Sequence, residues 1–414
     1  MTSPITHILT KSDYTQHHLV TLPSDPLPPL ALSSLRLRSR IIGLTTNNFT
    51  YAKMGFLLGW WDVYPPPQNA PSPYDDRNTY GRISAWGYAE ILSSTVPGIE
   101  AGQSVYGYLP ISTAAEDVEI EKSELKNHIL VTSPHRQHLW KIYNRYQVLG
   151  PIEELEKSKS LDSLGWDALM QALFGTAFNL NTYGLAWDKR NLIHPSGNGA
   201  WTLEDADLGN AAVIILSAST KTGLAFAYQL RNNRPKEHQP HSVIGVCSSA
   251  SQDFVRGTGL YDTVLLYNSV EQATSQLETN KPRRIVLFDF GARDGVTASW
   301  TQALSSLSIP IPFTFIGVGG SVGPKSPEEI AKIMQQLPGH RIQTNANELR
   351  EKGLALDGDE YLERFHKSFD EFKSQAGIPG VKLRWEEGLE AWEKGWERLA
   401  KDEVGAGEGL VFRI

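Results

Sequence analysis

Five short, almost unbroken apolar runs lie at 212–216, 243–246, 264–267, 285–288 and 313–318. A strand with one wet face alternates apolar and polar residues, so a run apolar throughout is covered on both faces. Helix-length sequence separates several of these runs, and that alternation predicts an α/β fold: a doubly wound, Rossmann-like domain built on a parallel sheet.

The first 130 residues have a different texture. Runs at 35–44 and 89–94 fit strands, and 102–108 reads as a turn feeding a short strand. The proline-rich stretches 64–67 and 69–74 are loop, because proline removes the donor that a sheet ladder needs. This part is β-rich. From 133 to 165 the chain turns polar, charged and partly helical, with i to i+4 charge pairing around Glu153 and Lys157. A helical stretch at 166–183 marks the interdomain connection. Trp385, Leu389, Trp392, Trp396 and Leu399 then predict an amphipathic helix whose tryptophans pack a core, before a closing strand at 409–414. The expected division is 1–170 with an insertion near 133–165, 171–335 for the doubly wound domain, and 336–414 returning to the first domain.

Composition bounds the partners. A formal charge of −7 over 414 residues gives no electrostatic reason to expect nucleic acid or anionic membrane, so a small molecule is the expected ligand. The single cysteine, Cys247, excludes an intrachain disulfide and a cysteine-cluster zinc site. The N-terminal stretch lacks the basic segment and apolar core of a secretory signal, and no run reaches about 18 uncharged apolar residues. A cytoplasmic protein is expected.

The first run, IIL, leads into Ser217, Ala218, Ser219, Thr220, Lys221, Thr222 and Gly223, where a nucleotide-binding protein carries a glycine-rich phosphate turn. Gly223 is the one glycine of that turn. Small hydroxyl side chains keep the loop slim, and the Lys221 ammonium at a helix start can pair with phosphate. The bland alternative makes the nearby hydroxyls helix caps and has Lys221 sit on the surface or tie the loop to a carboxylate. After the second run come Ser248 and Ser249, with Arg256 following and no acid at the strand end. Such a pocket favours NADPH, since two hydroxyls can donate to a 2′-phosphate and nothing repels it.

This order of pieces resembles the medium-chain dehydrogenase/reductase superfamily, near its zinc-free quinone and enoyl reductase branch, and in particular the DUF2855 family. The resemblance rests on residues 46–55, on 86–90 with 102–107, on 217–223, on Tyr143, Asn144, Arg145 and Tyr146, and on the tail. It implies a GroES-like β-barrel catalytic domain beside the Rossmann-like one. The stretch 85–90 holds no histidine where zinc-dependent members carry a Gly-His-Glu ligand, so no zinc is expected.

The resemblance also places 48–51 in the run that lines the substrate cleft. Tyr51 is then the expected proton donor, with Asn48 orienting it or polarising a substrate carbonyl. Tyr143 and Arg145 are expected in the substrate wall, Tyr143 and Tyr146 sharing one face of a helix; an interdomain aromatic seam is the alternative. Two functions remain open: an NADPH-dependent, zinc-independent reductase of an enone, quinone or related conjugated carbonyl, and a cofactor-independent lyase, isomerase or aldolase-type enzyme. The run 313–318, read as the last strand with a bare apolar edge, predicts a homodimer.

Overall fold

The computed structural model describes residues 3–293, 295–319, 341–374 and 378–414. In chain order its strands are β1 (Ile5–Thr10), β2 (Asp13–Thr21), β3 (Ser34–Leu44), β4 (Tyr80–Gly81), β5 (Ser84–Ser94), β6 (Ser104–Pro110), β7 (Glu116–Lys122), β8 (His128–Val131), β9 (Arg145–Leu149), β10 (Ala211–Leu216), β11 (Ser242–Cys247), β12 (Thr263–Leu266), β13 (Arg284–Phe290), β14 (Phe313–Gly319), β15 (Arg341–Gln343), β16 (Lys382–Glu387) and β17 (Glu408–Arg413). The described residues gather into two compact units, one drawn from positions 3–171 and 382–414, the other from 172–319 and 341–381.

The first unit is a barrel. Its sheet runs β16-β17-β3-β5-β6-β9-β8-β7, and β7 pairs again with β3, so six strands close on themselves while β17 and β16 continue from β3. Closure needs sharp curvature, which β3 and β5 supply through two register shifts. At one of these the strands approach so closely that a Cβ on Gly87 would lie 1.9 Å from the Ile41 carbonyl oxygen, so only glycine fits. The polar stretch expected as an insertion contributes β9, which bridges β6 and β8. Its mixed composition hid a barrel strand: Arg145 and Tyr146 are buried within it, and the charged helix Ile152–Lys159 follows.

The second unit carries the parallel sheet, ordered β12-β11-β10-β13-β14-β15. Alternate residues of its strands serve opposite faces. Leu287 joins a core with Ile214, Val246, Leu277 and Trp300, whereas Phe288 and Phe290 stack against Phe226 at 4.6 and 5.6 Å. Helices Val270–Asn280 and Val296–Ser305 therefore cover one face and Lys221–Asn232 the other. This is the doubly wound fold expected from the unbroken apolar runs.

Three expectations shift. β14 is not the end of the sheet, because β15 pairs with Phe315–Gly317; the apolar edge behind the homodimer expectation is covered there. Helices Ala346–Asp357 and Asp359–Ser374 belong to the second unit, where Phe365, Phe369 and Phe372 pack within 6.1 Å of Phe174, so the chain returns to the first unit at Lys382 rather than at 336. Trp385 lies on β16, ahead of the helix Leu389–Ala400 that carries Trp392 and Trp396.

Those two tryptophans are fully buried, and His7 of β1 packs between them and His17. The Trp392 indole donates to His7 Nδ1 at 3.4 Å, so the proton of this imidazole sits on Nε2, facing His17 Nδ1 at 3.2 Å. Burial, and then the charges of His17 and His18, hold His7 well below its ordinary value of 6.5. The unfolded chain therefore binds more protons below pH 6.5, and stability is lost as pH falls from there toward the folded value. We expect this one group to remove about 1.4 kcal/mol per pH unit below its unfolded pKa. Urea unfolding of wild type and His7→Gln between pH 7 and 5 checks this, the variant showing the shallower loss.

Candidate functional site

The chain leaves β3 at Thr45, which starts the helix Thr46–Lys53 with a capping box: the Thr45 hydroxyl accepts from the Asn47 amide at 3.2 Å, and Asn48 Oδ1 accepts from the Thr45 amide at 2.9 Å. Asn48 Nδ2 donates to the Ser84 carbonyl at 3.2 Å. The oxygen of this buried amide thus closes the helix cap, and its nitrogen ties the helix to β5. Asn48 positions the helix.

One turn on, the Tyr51 oxygen accepts from Asn47 Nδ2 at 2.6 Å and from the Trp86 indole at 2.8 Å. With two donors already on that oxygen, its own proton is left to donate. Rings of Tyr108, Trp60 and Tyr143 stand edge-on to Tyr51, at 4.8, 4.9 and 5.9 Å. Burial raises Tyr51 far above the ordinary phenol range, although Trp86, Asn47 and Tyr143 pull it back in part. Tyr108 and Tyr143 are raised too, by burial and then by the Tyr51 charge. All three phenols stay protonated at neutral pH, so this cluster is built of neutral donors.

Tyr143, Arg145 and Tyr146 do not lie along one helix. Tyr143 sits in the four-residue helix Lys141–Asn144, and Arg145 begins β9, so the three side chains diverge. Tyr143 joins Tyr51. Arg145 reaches Ser123 Oγ at 3.2 Å, just past the end of β7. Tyr146 donates to the Tyr108 carbonyl at 2.5 Å and shares a 2.9 Å hydrogen bond with the Tyr64 hydroxyl.

The arginine that serves this region is one the sequence did not single out. Arg136 is fully buried, donates to the Tyr143 carbonyl at 2.6 Å and Asn144 Oδ1 at 2.7 Å, and lies over the rings of Tyr64 and Tyr146 at 5.2 and 5.8 Å. It clamps the helix that carries Tyr143. Nothing in the polar run around Arg136 signals burial; only the tertiary pairing of β8 with β9 creates it.

In the second unit, Ser217 follows β10 with φ at +59°, the left-handed conformation usually left to glycine. Its carbonyl accepts from Thr220 Oγ1 at 2.8 Å, and its hydroxyl meets the Tyr267 hydroxyl at 3.1 Å. Thr220 caps the helix by accepting from the Gly223 amide at 3.2 Å. A Cβ on Gly223 would lie 2.9 Å from Thr220 Oγ1 and 3.3 Å from the Ser217 carbonyl oxygen, so glycine lets the helix start close against the strand end. Ser219, Lys221 and Thr222 are half-buried, with Lys221 and Thr222 supplying the first two helical amides.

Beside this turn, at the end of β11, Ser248 is half-buried and its hydroxyl meets Ser251 Oγ at 3.1 Å. Ser249 is exposed, and Arg256 lies on the helix Gln252–Gly257, 3.9 Å from Asp253 with half its side chain in solvent. On the other side Asp289, the last residue but one of β13, accepts from the Gly291 and Ala292 amides at 2.9 and 2.8 Å and from Thr297 Oγ1 at 2.6 Å. Sequence reasoning missed Tyr267 and Asp289; a single acid or phenol at a strand end carries no periodic signal. Among the described residues no three His, Cys, Asp or Glu side chains are grouped to hold a metal ion, and no helix is long and apolar enough to cross a membrane.

The family described as "Protein of unknown function (DUF2855)" matches residues 42–405. No curated protein matches the chain. Among solved structures, Etr1p in complex with NADP and crotonyl-CoA is similar over 100% of both chains, at 10% identity and a TM-score of 0.57. The CurF ER cyclopropanase of the curacin A biosynthetic pathway is similar over 99% of both, at 13% identity and 0.55. CurA from Vibrio vulnificus in complex with NADPH is similar over 99% of this chain and 98% of its own, at 13% and 0.54. These likenesses show the fold: a GroES-like barrel and a Rossmann-like sheet, as in medium-chain reductases.

The tight turn yields a stability prediction. Gly223→Ala should cost about 1–3 kcal/mol, the usual consequence of forcing a methyl group into a filled space. Urea unfolding at neutral pH measures it.

Proposed function

The chain belongs to the DUF2855 family, and we propose that it is an NADPH-dependent reductase of a small conjugated carbonyl compound that works without zinc. The observation that carries this reading is the turn from Ser217 to Gly223. It stands after the first strand of the doubly wound sheet, between β11 and β13, where the strand order changes direction and such sheets bind their ligands.

The residues fit the cofactor. Gly223 lets the helix start draw close, Lys221 and Thr222 offer amides at its positive end, and Ser219 and Thr220 keep the approach slim. Lys221 adds a cation for the pyrophosphate. Ser248 and Ser249 stand after the second strand for a 2′-phosphate, with Arg256 one helix further on. Similar proteins of the same fold include ones solved with NADP and with NADPH, which supports the choice. When bound, NADPH supplies a hydride.

The chain's own residues then handle the oxygen and proton. Tyr51, held by Asn47 and Trp86, is paired with Tyr143, and this pair of phenols is the proton donor. Because burial keeps both phenols protonated, the rate should show no tyrosine ionisation up to about pH 10. Zinc has no role in this scheme: Cys247 is buried on β11, and the barrel strands offer no cysteine.

Calorimetric titration with NADPH tests the reading directly. Binding should be measurable, NADH clearly weaker, and Lys221→Ala about tenfold or more weaker than wild type, the loss of a bond to a charged group. No heat up to millimolar NADPH would turn the assignment to the non-redox lyase or isomerase. In an assay following NADPH absorbance with a panel of enones and quinones, Tyr51→Phe should lower kcat by at least about tenfold while changing KM little.

A further inference from the structure

We propose that Tyr108 and Trp60 join Tyr51 and Tyr143 in a donor-only pocket that takes the oxygen of an uncharged conjugated carbonyl compound, and holds that oxygen as it gains negative charge. The inference starts from two buried polar groups. The Tyr108 hydroxyl, on a fully buried side chain, makes no hydrogen bond of acceptable geometry; the Ser84 amide beside it is poorly aligned. The Trp60 indole N–H, 4% exposed, likewise makes none of acceptable geometry; the Tyr143 hydroxyl beside it is poorly aligned. A buried donor without a partner is costly, so two in one cluster need a reason.

They share their surroundings. Trp60 stands 4.9 Å from Tyr51 and 5.5 Å from Tyr143, and Tyr108 stands 4.8 and 5.0 Å from the same two rings, centroid to centroid. Tyr51 and Tyr143 are hydrogen-bonded to each other, and this pair brings a third donor, the Tyr51 oxygen being already occupied by Asn47 and Trp86. Tyr143 is the rim of the cluster, 8% exposed. The cluster thus offers three protons, from Tyr108, from Trp60 and from the Tyr51–Tyr143 pair, and none of its four side chains carries a charge at neutral pH.

That composition selects a ligand class. A site of neutral donors suits a carbonyl oxygen, and gains most when the oxygen becomes an enolate or phenolate, because hydrogen bonds to a charged acceptor are stronger. None of its four side chains is a cation for a carboxylate or phosphate. The nearby arginines are directed to other partners, Arg136 to the Tyr143 carbonyl and Asn144 with one terminal nitrogen left buried and unpartnered, Arg145 toward Ser123. Aromatic walls favour a flat ring.

The word substrate rests on the reductase reading; the oxygen site does not, and it can be tested without cofactor. The probes are 4-nitrophenol and 4-nitroanisole, which share a ring and differ in whether the oxygen can become an anion. Tryptophan fluorescence quenching gives affinity, and nitrophenolate absorbance gives ionisation. We expect 4-nitrophenol to bind at least tenfold tighter, and to ionise at lower pH when bound than when free. Tyr108→Phe should weaken it about tenfold while leaving the unfolding midpoint unchanged or raised, since the lost hydroxyl has no well-aligned partner. A structural hydroxyl would give the opposite pair of results. Trp60→Phe is the second variant, expected to weaken 4-nitrophenol and spare 4-nitroanisole. Equal binding of the two probes, no binding of either at millimolar concentration, or unchanged affinity in folded Tyr108→Phe would overturn the proposal. Binding of 4-nitrophenol without binding of NADPH would sink the reductase reading and leave the oxygen site standing.

Discussion

One strand carries the first unit. Over its eleven residues β3 lies against β5 along most of its length, closes the barrel on β7 with its first residues, and anchors β17 with its last. A strand cannot serve three partners while flat, so two register shifts against β5 bend it, and Gly87 accepts the Ile41 carbonyl where a side chain would collide. The candidate site inherits this bend. Thr45 and the helix bearing Tyr51 continue directly from β3, and Trp86, which fixes the Tyr51 oxygen, precedes Gly87 on β5. The distance between phenol and indole is therefore set by the closure of the barrel rather than by a loop.

The two candidate sites differ in kind. In the first unit burial raises every phenol of the cluster, so its chemistry lies in neutral hydrogen bonds whose strength depends on exclusion of water. In the second, the turn after β10 offers a helix start and an ammonium, suited to a phosphate. A reductase needs both. It must hold an anionic cofactor by charge and develop negative charge on a substrate oxygen that only neutral donors touch. On the proposed reductase reading each unit would supply one of these.

The sequence disclosed what periodicity can encode. Unbroken apolar runs gave β10 to β14 within a residue or two, because burial on both faces leaves no choice of side chain. The turn from Ser217 to Gly223 was legible by its place after the first run. Less was legible where burial depends on partners far along the chain. Arg145 and Tyr146 looked like part of a polar insertion, yet β9 needs them inside the barrel. Arg136, Trp86 and Tyr108 carry no local signal; their roles come from strands that meet only in three dimensions. Asn48 was read as lining the cleft beside Tyr51, with no sign in the sequence that its oxygen would close a helix cap and its nitrogen would meet β5. A side chain's type shows what it can bond, not what it has already bonded.

The serine at 217 shows how the second site balances shape against bonding. Holding a residue with a β-carbon in the left-handed region costs roughly 1–2 kcal/mol, and glycine would avoid it. What glycine lacks is the hydroxyl, and here it meets Tyr267 at 3.1 Å, tying the turn to the end of a strand two places away in the sheet. The Ser217 carbonyl is fixed as well, by Thr220. Tyr261 adds a third tie by donating to the Ala218 carbonyl at 2.8 Å. Three bonds, each worth about 0.5–1.5 kcal/mol, are enough to offset one strained residue. A glycine-rich turn binds phosphate through bare, adaptable backbone; this one is held rigid before any ligand arrives. Rigidity removes the ordering cost of binding, while the β-carbons take room that a pyrophosphate would use. On the proposed cofactor reading, those two effects and the Lys221 ammonium at the helix start together set the strength of the site.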